Sequence, residues 1–155
     1  MAVGTEFIID QLKYIVLTES GTTGTVSVGA KDTNITGDIV IPETVSNGGI
    51  TYTVDTITST AFLNCVNVTS IYISKTITNT SFNFQAFNGT NMKLRSINVD
   101  PDNSYLSSLD GVLYSKDKNI LYKYPQSKLD ISYKLPNSVN NIHVYALNRT
   151  KLKYI

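Results

Sequence analysis

Residues 61–73 read AFLNCVNVTSIYI, and the same stretch returns, altered, at 86–99 as AFNGTNMKLRSINV and at 146–155 as ALNRTKLKYI. A motif that recurs at intervals in the mid-twenties constrains a fold more than any composition can. Each copy is one supersecondary unit that must stack on its neighbours to bury its apolar side. The tail of each copy is spaced apolar-x-x-apolar-x-apolar: Val68, Ile71 and Ile73, then Leu94, Ile97 and Val99, then Leu152 and Ile155. Four residues before each Ala stands another large apolar residue, Ile57, Phe82 or Ile142. Agreement of these spacings argues for one repeated unit. The small Ala is expected to allow close backbone approach, and the following Phe62, Phe87 or Leu147 to fill the core.

A second half-unit joins the copies. Residues 39–45 (IVIPETV), 71–77 (IYISKTI) and 133–139 (YKLPNSV) share an alternating strand followed by Pro or Ser. Pro42 and Pro136 would end their strands by removing a ladder donor. Ile, Val, Tyr, Thr and Ser dominate and Trp is absent, a mix suited to strands and turns. At 155 residues the chain is expected to be one domain with a real core.

Residues 1–36 differ and read as a small antiparallel cap: a run at 7–9, a turn at Asp10 and Gln11, a run at 14–17, a turn cluster at 19–24, and alternation at Val26 and Val28. Such a cap would cover the first repeat, whose core otherwise faces water. The repeats occupy 37–155. Asn47, Gly48 and Gly49 signal a hairpin. A larger insertion runs from about 100 to 132, where 112–114 and 120–124 should form a second hairpin, preceded by a tight turn at Asp110 and Gly111.

The I-P-x-x-V element at Ile41, Pro42 and Val45, the I-x-x-x-A-F-x-x-C element from Ile57 to Cys65, and the L-x-x-I-x-I tails resemble the BspA-type leucine-rich repeat. The segment LDGVLYSKDKNILYKYP at 109–125 resembles a hairpin inserted in that family. The resemblance covers nearly the whole chain, with departures at Thr58, Asn83 and Leu147. It implies a leucine-rich-repeat solenoid, predominantly β with little helix, with an N-terminal β cap and an inserted β-hairpin. It also implies a secreted or cell-surface protein engaged in adhesion and protein–protein contacts, and no catalytic residues.

In such a repeat the residues between the inward positions line a concave face. The alignment assigns that face to Asp38, Val40, Ser70, Tyr72, Ser96, Asn98, Ser132 and Lys134, with Tyr154 beyond them. Tyr72 is the strongest single contact, because exposed Tyr offers area with a polar handle. Tyrosines 105, 114, 122, 124, 133 and 145 crowd the second half; their ordinary role is to pack a hairpin onto its domain. Asp100, Pro101, Asp102 and Asn103 fail the EF-hand pattern. His143 is the only histidine and Cys65 the only cysteine, so neither a three-His zinc site nor an internal disulfide can form. Phosphate-binding glycine motifs are missing from the sequence. No cofactor and no enzymatic activity are expected. Asn34, Asn67, Asn79, Asn88 and Asn148 begin N-x-[ST] triplets, which matter only in a eukaryotic secretory setting.

A net charge of +1 provides no basic face for nucleic acid. No apolar run nears the roughly 18 residues of a membrane span, so no membrane insertion is expected. The first residues lack the basic and apolar regions of a signal peptide; the protein either stays inside the cell or has had its export signal removed. The expected partner is a protein ligand, with host extracellular proteins among the candidates. The alternative is a structural subunit that self-associates through its C-terminal end, at Leu152, Tyr154 and Ile155, where a strand pattern stops without a polar cap. Two explanations of that stop are open: the chain is a fragment of a longer repeat protein, or another subunit covers the end. A carbohydrate-binding module is a third, weaker reading.

Overall fold

The computed structural model describes residues 2–78, 84–90 and 92–155. Phe82 and Asn83, used in the repeat alignment, and Asn79, which begins an N-x-[ST] triplet, fall outside these residues. The described residues form twelve strands, no α-helix, and one short 3-10 turn at Phe84–Phe87.

The first sheet has the order β1-β2-β3-β6-β5. β1 (Glu6–Ile9), β2 (Leu12–Ser20) and β3 (Thr23–Ala30) make the antiparallel meander expected from the sequence. Leu12, Tyr14 and Val16 alternate inward along β2, as period-two patterning requires. β5 (Thr44–Asn47) and β6 (Ile50–Ile57) lie beyond residue 36 yet join this sheet, with β6 running parallel to β3. Their connection is Gly48 and Gly49 at φ 59° and 81°. Positive φ at both central residues of a two-residue loop is the geometry whose twist matches a hairpin.

The second sheet is parallel, in the order β4-β7-β8, built from β4 (Thr36–Ile41), β7 (Asn67–Ile73) and β8 (Ser96–Val99). Its register explains the tail spacing. Gly37 pairs with Val68 and Asp38 with Ser70, so Thr69 is an extra residue. That bulge lets Val68 and Ile71, three apart, both point into the core, after which alternation resumes at Ile73.

The third sheet, β12-β11-β10-β9, contains the insertion. β10 (Val112–Ser115) and β11 (Ile120–Lys123) pair as the expected hairpin. The sequence reading missed β9 (Leu106–Leu109), which makes the turn at Asp110 and Gly111 a hairpin in its own right. Both turn residues have positive φ. A Cβ on Gly111 would lie 2.7 Å from the Ser96 side chain, so glycine is also required by the close approach of β8. β12 (Asn141–Ile142) runs parallel to β11. The third repeat copy was expected to be a strand, but Ser132 makes only an isolated parallel bridge with Tyr154.

One large core unites the first two sheets and reaches Leu106 and Leu113. A smaller one gathers Val112, Tyr114, Leu121, Tyr124 and Ala146. β10 lies between them: Leu113 faces the large core while Val112 and Tyr114 face the small one, so one short strand is buried on both sides.

The Ala-Phe elements form the corners. The Ala30 amide donates to the Ala61 carbonyl (2.8 Å), the Phe62 amide to Ala86 (2.9 Å), and the Tyr124 amide to Ala146 (2.8 Å). Phe62 and Phe87 stack with ring centroids 6.1 Å apart and planes 7° from parallel. The small side chain at each Ala thus lets neighbouring corners meet backbone to backbone.

Candidate functional site

The pairings in β4, β7 and β8 place six of the predicted face residues side by side. Asp38 pairs with Ser70 and Ser70 with Ser96; Val40 pairs with Tyr72 and Tyr72 with Asn98. Their neighbours Ile39, Ile71 and Ile97 point the other way, into the core. The outward row is polar except for Val40, 61% exposed, and Tyr72, 37% exposed. Ser132 and Lys134 are exposed but stand outside this sheet. Leu152 packs against the small core, whereas Tyr154 and Ile155 are exposed.

The face is held in place by its own bonds. Asp38 Oδ1 accepts from Thr69 (2.9 Å) and Ser70 (2.7 Å), which lowers its pKa. It therefore stays ionised throughout the neutral range. The Tyr72 hydroxyl donates to Asp100 Oδ2 at 3.0 Å. Burial, that bond and the nearby carboxylates of Asp100, Glu43 and Asp102 raise the Tyr72 pKa. The hydroxyl remains protonated and orients the ring. The result is an aromatic centre flanked by anions. Glu43 is partly offset by Lys75 at 3.3 Å.

The segment Asp100 to Asn103, weighed as a metal loop from sequence, is committed to structural bonds. Asp100 Oδ1 accepts from the Asp102 amide (2.9 Å) and Oδ2 from Tyr72. Asn103 is fully buried. Its Nδ2 donates to the Ser74 (2.9 Å) and Ile77 (3.0 Å) carbonyls, while its Oδ1 accepts from the Tyr105 (2.9 Å) and Leu106 (2.8 Å) amides. One side chain thus ties the turn after β7 to the start of β9. Only its place beside Asp102 marks it in the sequence, in a segment weighed as a metal loop that fails the EF-hand pattern.

The tyrosines of the second half act mainly as packing. Tyr114 and Tyr133 share a 2.7 Å hydroxyl bond, Tyr133 meets Tyr124 edge-on at 5.1 Å, and Tyr124 donates to Asp130 at 2.8 Å. Tyr105, 47% exposed, and Tyr154, 68% exposed, are open to solvent. Cys65 is buried, and burial with the Asp32 charge pushes its thiol up to about 11, the opposite of an activated nucleophile. Nothing in the local sequence singles out Lys123. It is fully buried, and its Nζ donates to Asn88 Oδ1 (2.7 Å) and to the Tyr145 carbonyl (3.2 Å), bridging two corners.

No protein-family model matches the chain, and no curated protein matches it. Solved structures do. A leucine-rich repeat protein from Eubacterium ventriosum is 15% identical, with a TM-score of 0.52 over 97% of this chain and 62% of that one. The pneumococcal vaccine antigen PcpA is 20% identical, with a TM-score of 0.39 over 99% and 64%. A leucine-rich cell surface protein from Faecalibacterium prausnitzii is 16% identical, with a TM-score of 0.38 over 92% and 67%. This chain therefore spans a little under two thirds of the first two. The Eubacterium ventriosum likeness shows a shared fold, and the fold is mostly β and akin to leucine-rich-repeat proteins.

Proposed function

We propose that the chain is a non-enzymatic binding module of the BspA-type leucine-rich-repeat kind, acting at a cell surface through contacts with a protein ligand. The observation that carries this reading is the outward row on β4, β7 and β8, an ordered face with exposed Tyr72 and Val40 beside Asp38 and Asp100. The in-register parallel strands and the corner bonds at Ala61, Ala86 and Ala146 support a short, irregular solenoid with a cap at 1–36. Extended concave faces are what such stacks present to partners. The flanking carboxylates favour a ligand with a basic patch.

A second reading has its own observation. Ile131, Val144, Tyr154 and Ile155 are 57%, 77%, 68% and 56% exposed, which suits an assembly subunit joined at its ends. Binding to an array of extracellular-matrix proteins and mucin glycans, with light scattering on the same sample, separates the two. Saturable binding by a monomer is expected. Concentration-dependent oligomers with no binding to any array member would replace this reading with the assembly one.

A further inference from the structure

The first strand of the parallel sheet has an open side. β4 is the outermost strand of its sheet, paired with β7 alone. A groove of about 430 Å³ runs along it, between β4 and the turn joining β1 to β2. Its floor is apolar, with Leu12, Tyr14 and Ile39. Its rim carries two carboxylates, Asp10 and Asp38, and no basic side chain.

One position on this outer edge is already occupied, and the occupant is informative. The Thr36 amide donates to Gln11 Oε1 at 2.7 Å, and Gln11 Nε2 donates to the Thr36 carbonyl at 2.9 Å. A side-chain amide has the same donor and acceptor as a peptide group. Gln11 therefore makes the paired bonds that a neighbouring strand would make, and among the described residues no strand continues that pairing along β4. An unpaired edge is a template for an added strand. Asp38 Oδ1 is taken by Thr69 and Ser70, while Oδ2 has no bond to a described residue.

We infer that this groove takes an extended peptide segment of a partner protein, bearing lysine or arginine, which adds as a strand to the outer edge of β4. The inference rests on the reading of the chain as a protein-binding module, but it uses the outer edge of β4, which shares Asp38 and Val40 with the Tyr72 face and does not include Tyr72 itself. β4 has six residues, about 20 Å of extended chain, so a segment of similar length suffices. Main-chain bonds hold the segment, and Asp10 and Asp38 select its charge.

The test uses three capped nonapeptides: alternating lysine and valine, alternating glutamate and valine, and the lysine peptide with proline at its centre. Each is titrated into the 15N-labelled chain. The lysine peptide should shift the amide signals of residues 37–41 and bind at least tenfold more tightly than the other two. Asp10→Asn combined with Asp38→Asn should weaken it roughly fivefold, within the range of two exposed ion pairs, with the strand content by circular dichroism unchanged. Three results would overturn the inference: no saturable shift at 37–41, shifts centred elsewhere, or equal binding by the glutamate or proline peptide. Tyr72→Ala should leave the peptide titration unchanged. Failure of the peptides while a matrix ligand still depends on Tyr72 removes only the groove, and the reverse removes only the face.

Discussion

Lys123 shows what a single side chain contributes to this fold. Its ammonium is fully buried with two neutral acceptors, and burial lowers its pKa to about 8. An unfolded lysine titrates near 10.4. Between those values the unfolded state binds the extra proton, so this group favours folding progressively as pH rises from about 8 to 10.5. Cys65 acts in the opposite sense. Its thiol is held protonated to about 11, against roughly 8.5 when unfolded, so it costs stability over an overlapping range. The wild-type curve therefore conceals both. Urea unfolding of Lys123→Met beside the wild type exposes the lysine. The wild type should gain on the variant from pH 8 to 10, by at most about 1.4 kcal/mol per pH unit. A constant difference across that range contradicts the account. The inert, buried character of Cys65 was legible in the sequence, because a small apolar context defines it. The roles of Lys123 and Asn103 were not. Each depends on backbone groups more than twenty residues away, which no local pattern encodes.

The repeated strands and corners were legible because burial imposes a period. The sequence alignment placed Tyr72 opposite Val40 and Asn98, and the register agrees. Hairpins at Gly48 and Gly49, and at 112–124, were legible from turn chemistry. The parallel pairing of β6 with β3 was not, since the partners lie nearly thirty residues apart and pairing across such distances leaves no local mark. β9 was missed because its centre, Ser107 and Ser108, is polar and half-buried. Ser132 and Lys134 were grouped with the face because Pro136 mimics Pro42. In the chain, however, β9, β10 and β11 separate that segment from β8, and Ser132 bridges Tyr154, apart from the parallel sheet. The corner stack gives a direct test. Phe62 is fully buried against Phe87. Phe62→Ala should cost about 3–5 kcal/mol by chemical denaturation. A loss under 1 kcal/mol would mean that the corners do not share one core.

The molecule leaves two kinds of surface open: an ordered, mostly polar face on the parallel sheet, and exposed apolar side chains at Ile131, Val144, Tyr154 and Ile155. The face is preorganised, because Asp38 and Tyr72 are already bonded in the positions a ligand would meet. A ligand docking there would require little ordering of side chains, which would favour affinity. Its exposed carboxylates also make association sensitive to salt. Tyr72 lies at the centre of the face and Lys134 outside it, so the two give a contrast within one experiment. The decisive measurement is the dissociation constant of an array ligand for the wild type, Tyr72→Ala and Lys134→Ala, measured in one buffer. Tyr72→Ala should weaken binding about tenfold or more, the scale of a central aromatic contact, while Lys134→Ala leaves it unchanged. Full affinity in Tyr72→Ala, with loss in Lys134→Ala, would contradict the assignment of the face.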